Sequence, residues 1–334
     1  MRRALALALA LGLATDAVAA EPVRKFVTVA TEGSPWGDAA VSFSRRVAAE
    51  TRGRLKIRPF LGALAGDEVD TARLCQQGKV LLWAGSPAAF AEVVPELNAL
   101  ELPFLFRDSG EVDASLVGSP VSILGRAFER RGLALVPPLT ELGWRSFAGP
   151  KPLRALADFR GLRVRSQENP VHLEMWRLLG AQPRAISVVE TYNALQAGVV
   201  QAFDQVPVYL FATSWYQQAR VYTLSRHVYQ PGIVVLCKGA LASLAPADRA
   251  LIIDVARQEL AATVGKVRTL EAQVLAQLGK EGVQVVALTE AERAALAQQT
   301  RPVYRLFRES TTPLGRELLG AVERAIEAHR KGAR

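Results

Sequence analysis

The chain has 334 residues, half of them apolar and 22% charged. That is enough nonpolar surface for sizeable cores and, at ~150 residues each, about two domains, which excludes general disorder and collagen-like or low-complexity architectures. The formal charge of +9 rests on 33 arginines and only 8 lysines, a surplus that invites a nucleic-acid or membrane reading until the positions of the charges are considered.

Residues 1–20 read as an export signal. Arg2 and Arg3 supply the positive start, Ala4 to Ala14 an apolar run, and Val18 and Ala20 the small residues that place cleavage after Ala20. A membrane span needs about 20 apolar residues, and Asp16 interrupts this run. Removal of the segment takes away two arginines and one aspartate and leaves +8. An exported, soluble mature protein is expected, and export permits a disulfide. Cys75 and Cys237 are the only cysteines; they either pair or remain two buried thiols. No Cys-x-x-Cys is present, so neither a thioredoxin-type site nor a zinc ribbon is supported.

Lys25–Ala30 is a short strand, and Ser34-Pro35 then supplies an N-cap and first turn for a helix carrying Phe43 and Val47 one turn apart. Leu55–Phe60 is a second strand. Asp67 opens a helix that Gly78 stops, and Val80–Trp83 is a third strand. This β-α-β-α-β order predicts a parallel sheet flanked by helices. Leu133–Val136 and Leu142–Phe147 are further strands. A second run of the same kind starts near residue 150. It comprises a strand at Leu162–Arg165, a helix from Pro170 with His172, Met175, Trp176 and Leu179 on one face, a capping box at Ser187-x-x-Glu190 opening a helix to Gly198, and a strand at Val199–Asp204. Pro246 to Gly279 repeats apolar residues at helical spacing over roughly 50 Å, too long for one small lobe, so a helix lying across two lobes is expected. Thr289-x-x-Glu292 and Thr312-Pro313 open two terminal helices.

Catalytic signatures are absent: there is no Gly-x-Ser-x-Gly elbow, phosphate-binding loop or His-Glu-x-x-His. Only three histidines occur, and His172 reads as a packed core residue; without a Cys or His cluster no metal site and no cofactor are expected. Arg145 lies in the strand-like Leu142–Phe147, and Arg165 ends the strand Leu162–Arg165. Open α/β sheets bind ligands in the crevice at strand ends, where a guanidinium offers a fork of donors matching a carboxylate. Either these two arginines form an anion clamp or they are surface ion-pair partners.

Several stretches resemble one family. Leu102-Pro-Phe-Leu-Phe-Arg-Asp108, Asp158-Phe-Arg-Gly-Leu-Arg-Val-Arg165, Leu179-Gly-Ala-Gln-Pro183 and Glu190-Thr-Tyr-Asn-Ala-Leu-Gln-Ala-Gly-Val199-Val200 follow the order of motifs in the solute-binding proteins of tripartite ATP-independent periplasmic (TRAP) transporters. The similarity covers about residues 25 to 290. It implies a periplasmic protein with a two-lobed α/β fold, a cleft between the lobes, and a long helix spanning both. Lobe I is then 21–142 plus about 231–270, and lobe II is 143–230 plus about 271–334 with the C-terminal helices. It further implies that Arg165 bridges a substrate carboxylate with help from Arg145. The family's Asp-Gly-x-Glu-Asn-like stretch is here Gln201-Ala-Phe-Asp-Gln205, so that Gln205 stands for the amide and Asp204 for the acid. Trp36, Trp83, Ser86 and Glu168 are expected in loops facing the cleft, the tryptophans either marking an apolar or ring-bearing acid or simply packing.

The leading expectation is an extracytoplasmic monomer that captures a small organic anion and delivers it to TRAP membrane permease subunits. A ligand-sensing subunit of a signalling receptor is the alternative in the same class, and an exported hydrolase the alternative from another class. Nucleic acid is not an expected partner, because the basic residues are scattered instead of interleaved with aromatics in a stripe.

Overall fold

The computed structural model describes residues 23–332; the expected export signal and its cleavage point lie outside them. Nine strands are named here in chain order: β1 (Arg24–Thr28), β2 (Ile57–Phe60), β3 (Leu82–Gly85), β4 (Ala134–Gly149), β5 (Arg163–Ser166), β6 (Gln182–Ala185), β7 (Phe203–Gln205), β8 (Val221–Leu236) and β9 (Gln284–Ala287). Seven form one mixed sheet in the order β2-β1-β3-β8-β4-β7, with β9 also on β8, and β5 pairs with β6 beside it. The predicted parallel unit is present, since β1 runs parallel to both β2 and β3. Its first helix, Pro35–Glu50, starts as expected with the Ser34 side chain accepting from the Gly37 N–H.

β4 and β8 dominate the architecture. Each has 16 residues, and they pair antiparallel over nearly their whole length. At one end β8 pairs with β3; at the other, β4 pairs with β7 and β8 with β9. The ladder between them slips three times, between Val136 and Thr140, Glu141 and Gly143, and Arg145 and Phe147. The two separate strands predicted at Leu133–Val136 and Leu142–Phe147 are therefore parts of one long strand.

Three other expectations are corrected. The run Pro246–Gly279 forms two helices, Pro246–Ala261 and Lys266–Lys280. The break falls at Gly265, whose φ of +84° leaves the helical region at low cost only because it lacks a Cβ. The first half packs on the Pro35–Glu50 helix and the second on Pro207–Ala212 and β9, so the pair still reaches both ends of the sheet. The helix expected from Ser187 begins at Thr191; the Ser187 hydroxyl does accept from the Glu190 N–H at 3.3 Å, but the Glu190 carboxylate takes the Ser187 hydroxyl at 3.2 Å, so the capping box is only half formed. The terminal helix Pro313–Gly332, expected with residues 143–230, has its main packing elsewhere. Its buried face, including Leu318, Leu319 and Val322, packs on the segments Pro95–Glu101, Ser109–Ser115 and Ser119–Glu129, in one core with Leu100, Ile123 and Phe128.

The open question about the cysteines is answered by a Cys75–Cys237 disulfide, which ties the Glu68–Gln76 helix to the chain leaving β8 across a separation of 162 residues.

Candidate functional site

Where the β4–β8 ladder slips, side chains from several segments surround a cavity. Thr28 of β1, Trp36, Ser86 after β3, Thr140 of β4, Gln230 of β8 and Tyr209 of the Pro207–Ala212 helix all line it. The centre of a water-sized sphere has about 90 Å³ in which to move, several times the room one water needs.

On one wall stands Arg145, fully buried and fully engaged. Its Nε donates to Asp204 Oδ2 at 2.7 Å and its Nη2 to the Asp204 carbonyl at 2.6 Å, while Nη1 donates to Gln205 Oε1 at 3.2 Å and Gln230 Oε1 at 3.1 Å. Register explains the meeting: β4 and β7 pair Ser146 with Gln205 and Phe147 with Asp204, one step from Arg145. Burial alone would raise the Asp204 carboxyl, but Arg145 and the His227 ring hold it well below its ordinary range. Burial in turn pushes His227 down to about 4, so its ring is neutral at pH 7. Gln230 Nε2 continues the network to Glu101, which also meets His172 Nε2 at 2.8 Å. His172 is the packed core residue expected, with a carboxylate for a partner.

Arg165, on β5, is placed differently. It is 1% exposed. Its Nε donates to the Ile186 carbonyl at 2.9 Å, and its guanidinium lies 5.4 Å from the centre of the Trp215 ring. Its Nη1 has no hydrogen-bond partner, and the side chain forms no ion pair with a described residue. Burial, with repulsion from Arg145, lowers its pKa to about 10, so it stays cationic at neutral pH. Arg165 is not itself on the cavity wall. Its charge is felt by Glu68 and Tyr209, which are.

Glu68 was not anticipated from the sequence. It is the first residue of the Glu68–Gln76 helix, buried, and accepts from the Ser86 N–H at 2.7 Å and the Ser86 hydroxyl at 2.9 Å. Burial and the neighbouring Asp67 raise it to about 7 against the pull of Ser86 and Arg165. Asp67 caps the same helix through Val69 N–H and reaches across to accept from Val188 N–H at 3.0 Å.

Of the other predicted residues, Gln205, Ser86 and Trp36 line the cavity, Trp36 donating from Nε1 to the Glu141 carbonyl at 2.8 Å. Asp204 stands behind Arg145 and is not on the wall. Glu168 is exposed outside the cavity, its carboxyl raised by partial burial and by Asp67. Trp83 does not face the cleft. Successive strand residues point to opposite faces, so Leu82 turns to the cavity while Trp83 enters the core, 4.7 Å from the Phe90 ring and donating to Thr71 Oγ1 at 3.1 Å. Thr140, Gln167, Tyr209 and Gln230 join the wall unannounced; the apolar, aromatic and β-branched content of 221–236 was the available signal for the strand that carries Gln230.

The family model DctP, described as bacterial extracellular solute-binding protein, family 7, matches residues 26–310. A solute-binding protein of Verminephrobacter eiseniae is 31% identical over 285 residues, 84% of this chain and 85% of that one. The C4-dicarboxylate-binding periplasmic protein DctP of Rhodobacter capsulatus is 27% identical over 96% of both chains. Among solved structures, a TRAP periplasmic solute-binding protein from Ralstonia eutropha, with bound (S)-2-acetolactate, superposes with a TM-score of 0.85 at 26% identity, covering 91% of this chain and 98% of that one.

Proposed function

Because the chain belongs to the bacterial extracellular solute-binding proteins of family 7, proteins that bind a solute for transport and are not enzymes, we propose that it captures a small organic carboxylate in this cavity and presents it to the membrane permease subunits of a TRAP transporter. The carboxylates named for its relatives, a C4-dicarboxylate and acetolactate, support that class of solute.

The observation that carries the proposal is Arg165: a buried cation with a free Nη1 and no carboxylate partner among the described residues. Leaving a buried charge uncompensated is costly, and a carboxylate bound beside Glu68 and Tyr209, the wall residues that its charge reaches, supplies the opposing charge. Arg145 supports the site in another way. Already neutralised by Asp204, it orients Gln205 and Gln230 at the wall instead of offering a second free cation. Closure is what the two-lobed fold calls for, and the slipped rungs of β4 and β8 support a division of the chain near 142 and again near 230. A ligand touching both lobes favours the closed state by its differential affinity.

Calorimetric titration of the mature protein with a panel of carboxylic acids tests this. One or more acids should bind, and Arg165→Ala should weaken that binding by at least about tenfold while leaving the circular dichroism spectrum unchanged. An Arg165→Ala protein that binds its acid as tightly as the parent refutes the clamp.

A further inference from the structure

Beyond the polar groups already described, most of the cavity wall is hydrocarbon. Phe26 on β1, Phe43 on the Pro35–Glu50 helix, Leu82 on β3, Val234 on β8, and Ala256 and Leu260 on the Pro246–Ala261 helix all face it, and all belong to one hydrophobic core cluster. The wall therefore has two chemically different parts. Polar side chains bonded to one another make one, Glu68 with Ser86 and Gln230 with both Gln167 and Arg145, which also holds Gln205. The charge of Arg165 acts on Glu68 and Tyr209 within it; the six apolar residues make the other.

The charges on the wall are few. Among the described residues they are Glu68, Glu259 and Arg145. Glu259 is paired with Arg46 at 2.8 Å, and Arg145 with Asp204 at 2.7 Å. Among the described residues no uncommitted cation stands on the wall. A second carboxylate lodged there would lack a counter-charge, and those hydroxyls of a sugar acid set against Phe26 and Phe43 would meet hydrocarbon. Unpaired polar groups are rejected strongly by such surfaces, whereas alkyl groups are welcomed by them. Apolar cavities also stay dry when empty, so a hydrocarbon group gains contacts there without displacing well-bonded water.

On the basis of the carboxylate-binding function proposed above, we propose that the solute is an amphiphilic monocarboxylate. Its carboxylate lies toward Arg165, and its short alkyl or aromatic tail fills the space between the Pro35–Glu50 and Pro246–Ala261 helices and the sheet. Specificity then comes from tail length and from the absence of a second polar group.

The test uses the mature chain and two sets of acids: acetate, butyrate, hexanoate, octanoate and phenylacetate in one, succinate and glucuronate in the other. Affinity should rise about fourfold per added methylene until the cavity is full, with phenylacetate far tighter than acetate and the second set weak. Ala256→Leu should bring the plateau to a shorter chain; should that variant misfold, the series on the parent protein decides alone. Affinities independent of tail length, together with Arg165-dependent binding of succinate or glucuronate, overturn this inference and leave the carboxylate-binding function standing. Binding of no carboxylate in either set overturns both.

Discussion

Replacing Glu68 with glutamine isolates one buried acid. The carboxyl is raised from 4.5 to about 7, chiefly by burial, and at 1.36 kcal/mol per pH unit that comes to about 3 kcal/mol. The direction follows from proton counting. Between pH 4.5 and 7 the folded protein holds a proton on Glu68 that the unfolded chain has released, so stability falls as pH rises through this window. The contribution is fully present below 4.5 and lost above about 7. Glutamine keeps the shape, with an oxygen to accept from the Ser86 N–H and an amide to donate to the Ser86 hydroxyl, yet cannot ionise. Urea unfolding of parent and Glu68→Gln proteins at pH 4, 5, 6, 7 and 8 should therefore give curves that nearly coincide at the acid end. The variant should become the more stable by about 3 kcal/mol at pH 8. A stability difference that stays constant across this range refutes the assignment of a raised, buried carboxyl.

Asp204→Asn removes the charge facing Arg145 and should cost about 3–5 kcal/mol, because breaking a buried ion pair strands its partner; the urea midpoint reads it, and a loss under 1 kcal/mol would show that Gln205 and Gln230 suffice. Arg165→Ala should weaken acid binding roughly 10- to 150-fold, the equivalent of one charge-assisted hydrogen bond, as measured by calorimetry. Replacing both Cys75 and Cys237 with serine should lower unfolding free energy by about 2–5 kcal/mol, and a reductant should shift the parent protein but not the double variant.

How much could be read in advance depended on the range of the interactions involved. The Ser34-Pro35 cap, the strand β1 and the Thr289-x-x-Glu292 capping box are local, and the structure contains each of them. Arg145 and Arg165 stood out through strand-like surroundings and motif spacing. Trp83 was misplaced because a strand's facing depends on which side the core lies, which neighbouring residues do not reveal. The long strand β4 was read as two pieces because Pro137 and Pro138 lack the N–H groups that continue a ladder. Glu68 escaped notice for a related reason. In sequence it is one acid opening one helix, and only the fold brings Ser86 and Asp67 against it in a dry place. The pairing of Arg145 with Asp204 likewise needed the β4–β7 register, and 59 positions of chain separate the two.

The long antiparallel ribbon of β4 and β8 gives the molecule its compliance. The two ends of the sheet are joined by backbone that is already hydrogen-bonded, not by loose tethers, so a bend between them must be taken up where rungs are missing. Those places are the slips at Val136–Thr140, Glu141–Gly143 and Arg145–Phe147, and they flank the cavity floor. Thr140 and Arg145 on the wall are thus also at the flexural points of the ribbon. Amide exchange should show two protected blocks separated by these weak rungs, and filling the cavity should slow exchange there before anywhere else. A ribbon so interrupted bends most readily at the rungs that border the cavity.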